Sequence, residues 1–311
     1  MLSLSACLVR RDGEIITEAI KTRRYSWGIK ELDEVTGGIQ STLNMLYGET
    51  GSGKTTLAAY VPISRIVTEL KNTIGEIPEK GRFFVIDGDG GFDFERATQI
   101  WESQGLNSDE IKTHLFHKEI TGFDEQHKFV TKELANLIEE NEWKPLLFTF
   151  DPMTAVYRGI ILRTDMRFRG VAIGSYTGRL DLQLGTLRHL AVTYDCPCIV
   201  TTWPGSPIRI GKEVVEGEFP FIGGRQFGFL PKLIVEISIP KHGLSFRKAY
   251  LYKARGLPVG KSCHFKLSDV GIETCTEQEI VEIGQPRYPP NISGFATTRM
   301  RPINATKDVV I

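Results

Sequence analysis

One segment restricts the possible folds of this chain more than any other. Residues 48–55 read Gly-Glu-Thr-Gly-Ser-Gly-Lys-Thr, which satisfies the phosphate-binding pattern GxxxxGK[ST] in full. The apolar residues up to Tyr47 predict a strand before it, and Leu57, Ala58 and Val61 predict a helix after it. In that setting the glycines let successive backbone N–H groups surround a phosphate at the positive end of a helix. A glycine-rich turn that matched the pattern by chance would require neither the strand before it nor the helix after it.

The pattern also predicts roles for single residues. Lys54 is expected to reach the β and γ oxygens of a nucleoside triphosphate, where it also acts in catalysis, and Thr55 to ligate Mg²⁺. We therefore expect ATP and Mg²⁺ as cofactors. The predicted nucleotide-binding residues are Gly48, Glu49, Thr50, Gly51, Ser52, Gly53, Lys54, Thr55 and Thr56.

Apolar segments alternate with helical patterns from about residue 42 to 203, which is typical of an α/β fold with a mostly parallel twisted sheet and helices on both faces. The predicted strands are residues 42–47, 83–87, 146–151 and 198–202. Two helical faces are predicted by Phe129, Val130, Leu134, Leu137 and Ile138 and by Leu180, Leu184, Leu187, Leu190 and Ala191. Residues 233–239, 248–252 and 264–267 predict an antiparallel extension of the sheet at its C-terminal end.

The predicted organisation is a short leader over residues 1–24, an ATPase core over 25–284 and a C-terminal tail over 285–311. With 311 residues, 41% of them hydrophobic, the chain is long enough to bury a large core. The opening apolar stretch is too short to span a bilayer, and we expect no membrane association. The five cysteines have no metal-type spacing and predict reduced thiols in a cytoplasmic protein.

Carboxylates follow two of the predicted strands. Asp151 ends an apolar strand as a Walker B aspartate does, and we expect it to position the metal; the alternative is an aspartate that caps a helix. Asp87 and Asp89 follow another strand and are candidates for orienting the attacking water. Their glycine-rich surroundings also suit a structural turn.

An ordered set of segments resembles RecA-family recombinases of the archaeal RadA and RadB type, which belong to the wider KaiC-like superfamily. The similar segments are residues 27–33 with Gly37-Gly38, 85–96, 146–154, 187–202, 221–224 and 267–273, and the match covers roughly residues 25–275. The resemblance implies a RecA-like P-loop NTPase core that binds single-stranded or double-stranded DNA in homologous recombination and DNA repair. It also implies self-association or a recombinase partner.

Three features of the sequence depart from that family. Asp89 stands where the recombinases carry a catalytic glutamate, so we expect it to orient water less well and turnover to be slow. Residues 201–203 read Thr-Thr-Trp where the recombinases have Thr-Asn-Gln, a difference at the family's usual relay from the γ-phosphate to the DNA loop. The leader is also too short for the helical DNA-binding domain of the long family members, which favours a short paralogue.

Two more residues are candidates for catalysis. Lys253 and Arg255 resemble the Lys-x-Arg-Gly of KaiC-like relatives, in which a neighbouring subunit's Lys and Arg reach the γ-phosphate. Positive charge placed there stabilises the transferring phosphoryl group. A solvated basic turn is the alternative.

Two basic segments are candidates for DNA contact. The overall charge is balanced, with 38 basic and 38 acidic residues, so attraction to nucleic acid has to come from local patches. Arginine forks bind phosphates, and neighbouring aromatic rings stack on unpaired bases, although a solvated basic loop has the same composition. The candidates are Arg158, Arg163, Arg167 and Arg169, with Tyr157 and Phe168 between them, and in a second loop Arg209, Lys212 and Arg225.

Two alternative functions remain open at this point. One is an ATP-binding regulatory switch that assembles with a recombinase or another partner and hydrolyses little ATP. The other is a KaiC-like ring ATPase without direct strand-exchange activity, for which Lys253 and Arg255 are the basis. Stimulation of ATP hydrolysis by single-stranded DNA distinguishes the recombinase type from the switch.

Overall fold

The computed structural model describes residues 23–205, 219–240 and 245–284. For Glu282, Gly284 and four two- or three-residue strands, Arg10–Arg11, Glu14–Ile15, Ile208–Ile210 and Glu213–Val215, it describes the backbone only. The predicted tail and most of the predicted leader lie outside the described residues. The division into leader, core and tail stays a prediction.

A nine-stranded sheet forms the centre of the fold, and its strands are here numbered in chain order. They are β1 Leu43–Tyr47, β2 Gly81–Asp87, β3 Leu115–Glu119, β4 Lys144–Asp151, β5 Cys198–Thr202, β6 Leu233–Ser238, β7 Phe246–Ala254, β8 Ser262–Ser268 and β9 Gly271–Thr274. The spatial order is β9-β8-β7-β6-β1-β5-β4-β2-β3. Strands β6, β1, β5, β4, β2 and β3 pair in parallel, and β7, β8 and β9 continue the sheet antiparallel. The predicted parallel sheet with an antiparallel extension is therefore confirmed, but the prediction is wrong for one strand. Residues 233–239 are predicted to belong to the extension, whereas β6 pairs in parallel with β1 and is the last parallel strand.

Helices connect the strands and cover both faces. They are α1 Lys30–Thr36, α2 Val61–Ile74, α3 Phe94–Ser103, α4 Ser108–Thr113, α5 Phe123–Lys128, α6 Leu134–Glu140, α7 Ala155–Arg163, α8 Arg169–Thr193, α9 Arg225–Phe229 and α10 Glu277–Gly284. Two π-helical turns, Thr56–Tyr60 and Phe129–Glu133, lead into α2 and α6. Two short strands, Arg24–Tyr25 and Ile39–Gln40, pair beside the main sheet.

The side chains of β2 show why both faces need helices. Phe83 and Val85 belong to one hydrophobic core, together with Ile63 of α2, whereas Phe84 belongs to a second core with Leu184 of α8. Successive strand residues point to opposite faces, so a strand that is apolar throughout has to be covered on both sides. The two predicted helical faces are confirmed by their burial, except that Leu137 is only half-buried.

The segment before β1 is fixed by one buried hydroxyl. Thr36 Oγ1 accepts hydrogen bonds from Trp27 Nε1 at 2.9 Å and from the backbone N–H of Gly38 at 3.1 Å, and it donates to Leu32 O at 2.7 Å. Trp27 is 1% exposed and Thr36 is fully buried. A buried polar group without a partner is costly, so this network holds α1 and the indole against the core.

Thr36→Val should lower the free energy of unfolding by about 1–3 kcal/mol, because it leaves the indole N–H and the Gly38 N–H without an acceptor in the core. Urea denaturation measures the change. Thr186→Val on α8 is the control, since Thr186 Oγ1 makes one exposed hydrogen bond to Leu182 O, and it should change stability by less than about 0.5 kcal/mol. Equal losses in the two variants would contradict this account of the segment.

Candidate functional site

The phosphate loop begins where β1 ends, between β5 and β6. Gly48 N donates to Thr202 O of β5 at 3.3 Å. On the other side, a Cβ atom added to Gly48 would lie 2.0 Å from Ile237 O of β6. No side chain fits between these strands, so the first glycine of the motif is required by close packing.

Lys54 lies folded over this loop. Its Nζ donates to Gly48 O at 2.9 Å and to Glu49 O at 2.8 Å, and the residue is 7% exposed. Burial lowers the pKa of the Lys54 amine, while the charges of Asp151, Asp89 and Glu49 act in the opposite direction. An ammonium group held in this position can turn towards a phosphate without leaving the loop.

Asp151 lies opposite the loop at the end of β4, 7% exposed. One carboxylate oxygen accepts a hydrogen bond from Thr55 Oγ1 and the other from Thr201 Oγ1. Burial raises the pKa of Asp151, and the two hydroxyls and Lys54 oppose that shift. The structure therefore brings together the two side chains that the sequence predicts for the metal, Thr55 and Asp151.

The available side chains suit a metal ion that takes most of its ligands from phosphate and water and only a few from the protein. Among the described residues, no group of three or more His, Cys, Asp or Glu side chains is arranged to hold a metal ion. Mg²⁺ in phosphate-transfer sites is bound by one or two protein oxygens, phosphate oxygens and water. One carboxylate beside one hydroxyl fits that pattern.

The two aspartates after β2 have different environments. The carboxylate of Asp87 is 3% exposed and accepts four backbone N–H groups, from Asp89 at 3.2 Å, Gly90 at 2.8 Å, Gly91 at 3.1 Å and Phe92 at 2.9 Å. Burial alone would raise the pKa of Asp87, but the nearby His117 and these N–H donors hold it below its ordinary value. Asp87 is thus occupied in shaping the loop.

Asp89 is the exposed member of the pair. Burial of part of the side chain and the charges of Asp151 and Asp87 raise its pKa to about 6. The loop is held against β4, because Gly88 N donates to Asp151 O at 2.9 Å and a Cβ at Gly88 would lie 2.2 Å from Pro152 O. A carboxylate with a raised pKa is the stronger base, which favours Asp89 over Asp87 as the group that orients water.

Lys253 and Arg255 lie on and just beyond β7. Lys253 Nζ donates to Gly228 O and Phe229 O, both at 2.8 Å, at the end of α9. Burial lowers the pKa of Lys253, and the charge of Lys232 lowers it further. Arg255 is exposed. Their catalytic role across a subunit boundary stays a prediction.

The first basic segment forms a helical hairpin and not a loop. Arg158 and Arg163 lie on α7, and Arg169 begins α8. Tyr157 of α7 is buried, and its hydroxyl lies at hydrogen-bond distance, 3.2 Å, from Thr177 Oγ1 of α8. The two helices of the hairpin are therefore joined near its base, and the turn between them lies at the far end.

Three of these arginines contact other groups of the chain. Arg158 lies over the ring of Trp203, 5.3 Å from its centroid. Arg167 pairs with Asp165 at 3.0 Å, and Arg169 Nη2 donates to two backbone carbonyls near the end of α7. Arg163 is exposed.

Exposed apolar side chains accompany the arginines at the turn of the hairpin. They are Leu162, Met166, Phe168 and Val171, each more than 60% exposed. An exposed patch that mixes apolar groups and arginines can contact both the bases and the phosphates of a nucleic acid.

The second basic segment is described in part. Arg225 begins α9 and lies over the ring of Phe229, 5.7 Å from its centroid. Arg209 is described by its backbone only, in the strand Ile208–Ile210, which pairs with Glu213–Val215. Lys212 lies outside the described residues.

Two residues join these parts. Thr202 belongs to residues 201–203, which depart from the recombinase pattern, whereas sequence reasoning missed Arg247. Thr202 Oγ1 donates to Ile222 O at 2.7 Å and lies 2.8 Å from Thr154 Oγ1, so β5 connects the segment after Asp151 with the end of the second basic loop. Arg247 of β7 donates to two carbonyls of the phosphate loop. A lone arginine has no sequence pattern that would have identified it.

In the part of the chain that the structure describes, no helix combines the length and the apolar composition needed to cross a membrane.

Comparison with known proteins gives a consistent result. The sequence model of the Rad51 family matches residues 20–273. The "DNA repair and recombination protein RadB" of Thermococcus kodakarensis is 29% identical over 253 residues, which are 80% of this chain and 98% of that protein. RadB of Methanoculleus marisnigri is 27% identical over 82% of this chain and 100% of its own length. RadA of Ignicoccus hospitalis is 25% identical over 85% of this chain and 76% of its own length.

Asp89→Asn should increase the free energy of unfolding at about pH 8 by about 1 kcal/mol, a value reduced for the exposure of this side chain. The raised pKa means that folding favours the protonated acid, so ionised Asp89 opposes folding above about pH 6. The wild-type protein regains this stability as the pH falls through about 6, and the difference should disappear near about pH 4.

Urea denaturation across this pH range measures the difference between the two proteins. Glu140→Gln, which removes an exposed acid of α6 far from the loop, is the matched control and should leave the pH profile unchanged. A stability difference that stays constant from about pH 8 to about pH 4 would contradict the electrostatic explanation.

Proposed function

The chain belongs to the Rad51 family, and from that membership we propose that it is an ATP-dependent DNA-binding protein of the RadB recombinase type, acting in homologous recombination and DNA repair. One observation carries the proposal: the phosphate loop, Asp151 and Asp89 lie together at the carboxyl ends of β1, β4 and β2, and the arginine-rich hairpin begins at Ala155, directly after them. The nucleotide site and the candidate DNA segment thus share one edge of the sheet.

The residues of this edge fit MgATP. The cradle at Gly48 has no room for a side chain, Lys54 lies over it, and Thr55 lies against the Asp151 carboxylate. Bound there, Mg²⁺ would neutralise charge on the β and γ phosphates. Lys54 would hold the same phosphates, Thr55 and Asp151 would hold the metal, and Asp89 would orient a water molecule.

Slow hydrolysis is part of the proposal. Asp89 is one methylene shorter than the glutamate of the recombinases that the sequence resembles. The loop cannot compensate by moving closer, because Gly88 already lies against Pro152 and Asp87 fixes the backbone that follows. A water held at a longer distance reacts more slowly.

The structure supports a physical connection between the nucleotide site and both basic segments. Thr201 donates to Asp151, and the next residue, Thr202, bonds to the segment that precedes α7 and to Ile222. Trp203 then contacts Arg158. We propose that changes at Asp151 alter both segments through β5, so that ATP increases the affinity for DNA.

Two further proposals concern the neighbours of this chain. It associates with itself or with a recombinase partner, and in such an assembly Lys253 and Arg255 face a neighbouring phosphate site. The described contacts of Lys253 are to the end of α9 of the same chain. Assembly would therefore have to draw the lysine away from those carbonyls.

Asp89→Asn should lower kcat for ATP hydrolysis about 100-fold and leave nucleotide affinity nearly unchanged, because it removes the group that orients water. Asp89→Glu should raise kcat roughly tenfold, since it restores the missing methylene. Single-turnover release of phosphate, with and without single-stranded DNA, measures both. Lys54→Ala serves as the control that loses nucleotide binding itself. Fast turnover that is unchanged in Asp89→Asn would rule out this role.

Arg163→Ala/Arg167→Ala should weaken binding of single-stranded DNA roughly tenfold in the presence of MgATP, because two phosphate-binding arginines are lost. Fluorescence anisotropy with single-stranded and double-stranded oligonucleotides, from about 50 to about 200 mM salt, measures the affinity and its salt dependence. The salt slope should become shallower by about one to two.

The matched control is Lys80→Ala/Lys112→Ala, which removes two positive charges beside the amino ends of β2 and β3, far from the candidate site. It should bind DNA like the wild-type protein. If the arginine variant and the control bind DNA equally well, the hairpin is not the contact. If the wild-type protein does not bind DNA with MgATP, the DNA-binding proposal is wrong.

A further inference from the structure

Arg247, near the start of β7, contacts the phosphate loop from a distant part of the sequence. Its Nη2 donates to Gly51 O at 2.9 Å and its Nε donates to Ser52 O at 3.2 Å, and Nη1 donates to Phe246 O at 2.8 Å. The side chain is half-buried, and burial lowers its pKa while the charge of Glu49 opposes that shift. A charged group partly withdrawn from water needs such partners.

The neighbouring strands β6 and β8 contact the loop at two further points. A Cβ at Gly53 would lie 2.7 Å from Leu267 Cδ1 of β8, and a Cβ at Gly48 would lie 2.0 Å from Ile237 O of β6. Strands β6, β7 and β8 therefore form the outer wall of the loop. Of these contacts, only the one from Arg247 is charged.

The two carbonyls that accept from Arg247 belong to the peptide groups that carry the N–H of Ser52 and the N–H of Gly53. In the structure the Ser52 N–H donates to Glu49 O at 3.2 Å. The C=O of Gly51 shares its peptide plane with the N–H of Ser52, and the C=O of Ser52 shares its plane with the N–H of Gly53. In the GxxxxGK[ST] motif, backbone N–H groups of this stretch bind phosphate oxygens. A hydrogen bond from a guanidinium to one end of a peptide polarises it and strengthens the donor at the other end.

We propose that Arg247 is a positioning residue of the nucleotide site, which holds the peptides of residues 51–53 in the orientation that binds phosphate and raises the affinity for nucleoside di- and triphosphates. This inference rests on the proposed binding of MgATP. It assigns the antiparallel extension a part in nucleotide binding, in addition to its part in the core.

A purely structural role would have a different signature. If Arg247 only attached β7 to the loop, its loss would lower the melting temperature of the nucleotide-free protein and leave the affinity of the folded protein unchanged. The proposed role predicts instead that the affinity falls while the melting temperature of the nucleotide-free protein changes little. Water can replace the guanidinium at the exposed Gly51 carbonyl, but it does not supply the positive charge of Arg247.

Isothermal titration calorimetry with MgADP and with MgATP tests the proposal on the full chain. Arg247→Met keeps the length of the side chain and removes the charge and the donors, and it should weaken both nucleotides roughly tenfold. Arg247→Lys keeps the charge but cannot donate to both carbonyls with the geometry of a guanidinium, and its affinity should lie between that of the wild-type protein and that of Arg247→Met. Both variants should melt within about 2 °C of the wild-type protein when no nucleotide is present.

Lys248→Met is the matched control, because it removes the same charge from the next residue of the strand, whose side chain points to the opposite face of the sheet. It should bind both nucleotides like the wild-type protein. The inference is overturned if both Arg247 variants bind MgADP within about twofold of the wild-type protein, or if Lys248→Met weakens binding as much. A wild-type protein that takes up neither nucleotide would instead refute the proposed function on which the inference rests.

Discussion

The buried carboxylate of Asp151 is the group on which the candidate site depends. At the end of β4 it is 7% exposed, and burial makes its ionised form unfavourable unless neighbours stabilise it. Thr55 and Thr201 donate to its two oxygens, and Lys54 adds a positive charge. Because these residues come from the phosphate loop and from β5, one carboxylate joins the ends of three neighbouring parallel strands.

Close packing of the backbone around this carboxylate requires glycine at two positions. Gly48 lies against the Ile237 carbonyl and Gly88 lies against the Pro152 carbonyl, each at a distance that leaves no room for a Cβ atom. The acidic loop is then divided between two functions. Asp87 satisfies the backbone N–H groups of the turn, and this leaves Asp89 as the carboxylate that faces outward with a raised pKa. A structural turn and a catalytic candidate, which the sequence presents as alternatives, are both present in one loop.

Hydrogen bonds between strands, helices and their connecting segments join this edge of the sheet to the basic segments. Thr202 bonds to Thr154 and to Ile222 O, and Tyr157 and Thr177 join α7 to α8. The basic hairpin therefore has a fixed base and an exposed turn that carries Leu162, Met166 and Phe168. A rigid base is what allows a small displacement at a nucleotide site to move a distant contact surface.

The sequence by itself determined the phosphate loop, the parallel strands β1, β2, β4 and β5, the antiparallel strands β7 and β8 and the two helical faces that cover the sheet, because each depends on a local pattern of glycines or of apolar residues at a fixed period. It also predicted that Thr55 and Asp151 would meet, since carboxyl ends of parallel strands share one edge. Only the tertiary structure distinguished Asp87 from Asp89, showed that the first basic segment is a helical hairpin, and brought Arg247 to the carbonyls of residues 51 and 52. These features depend on hydrogen bonds and packing between residues far apart in the chain, and such contacts produce no local or periodic pattern in the sequence.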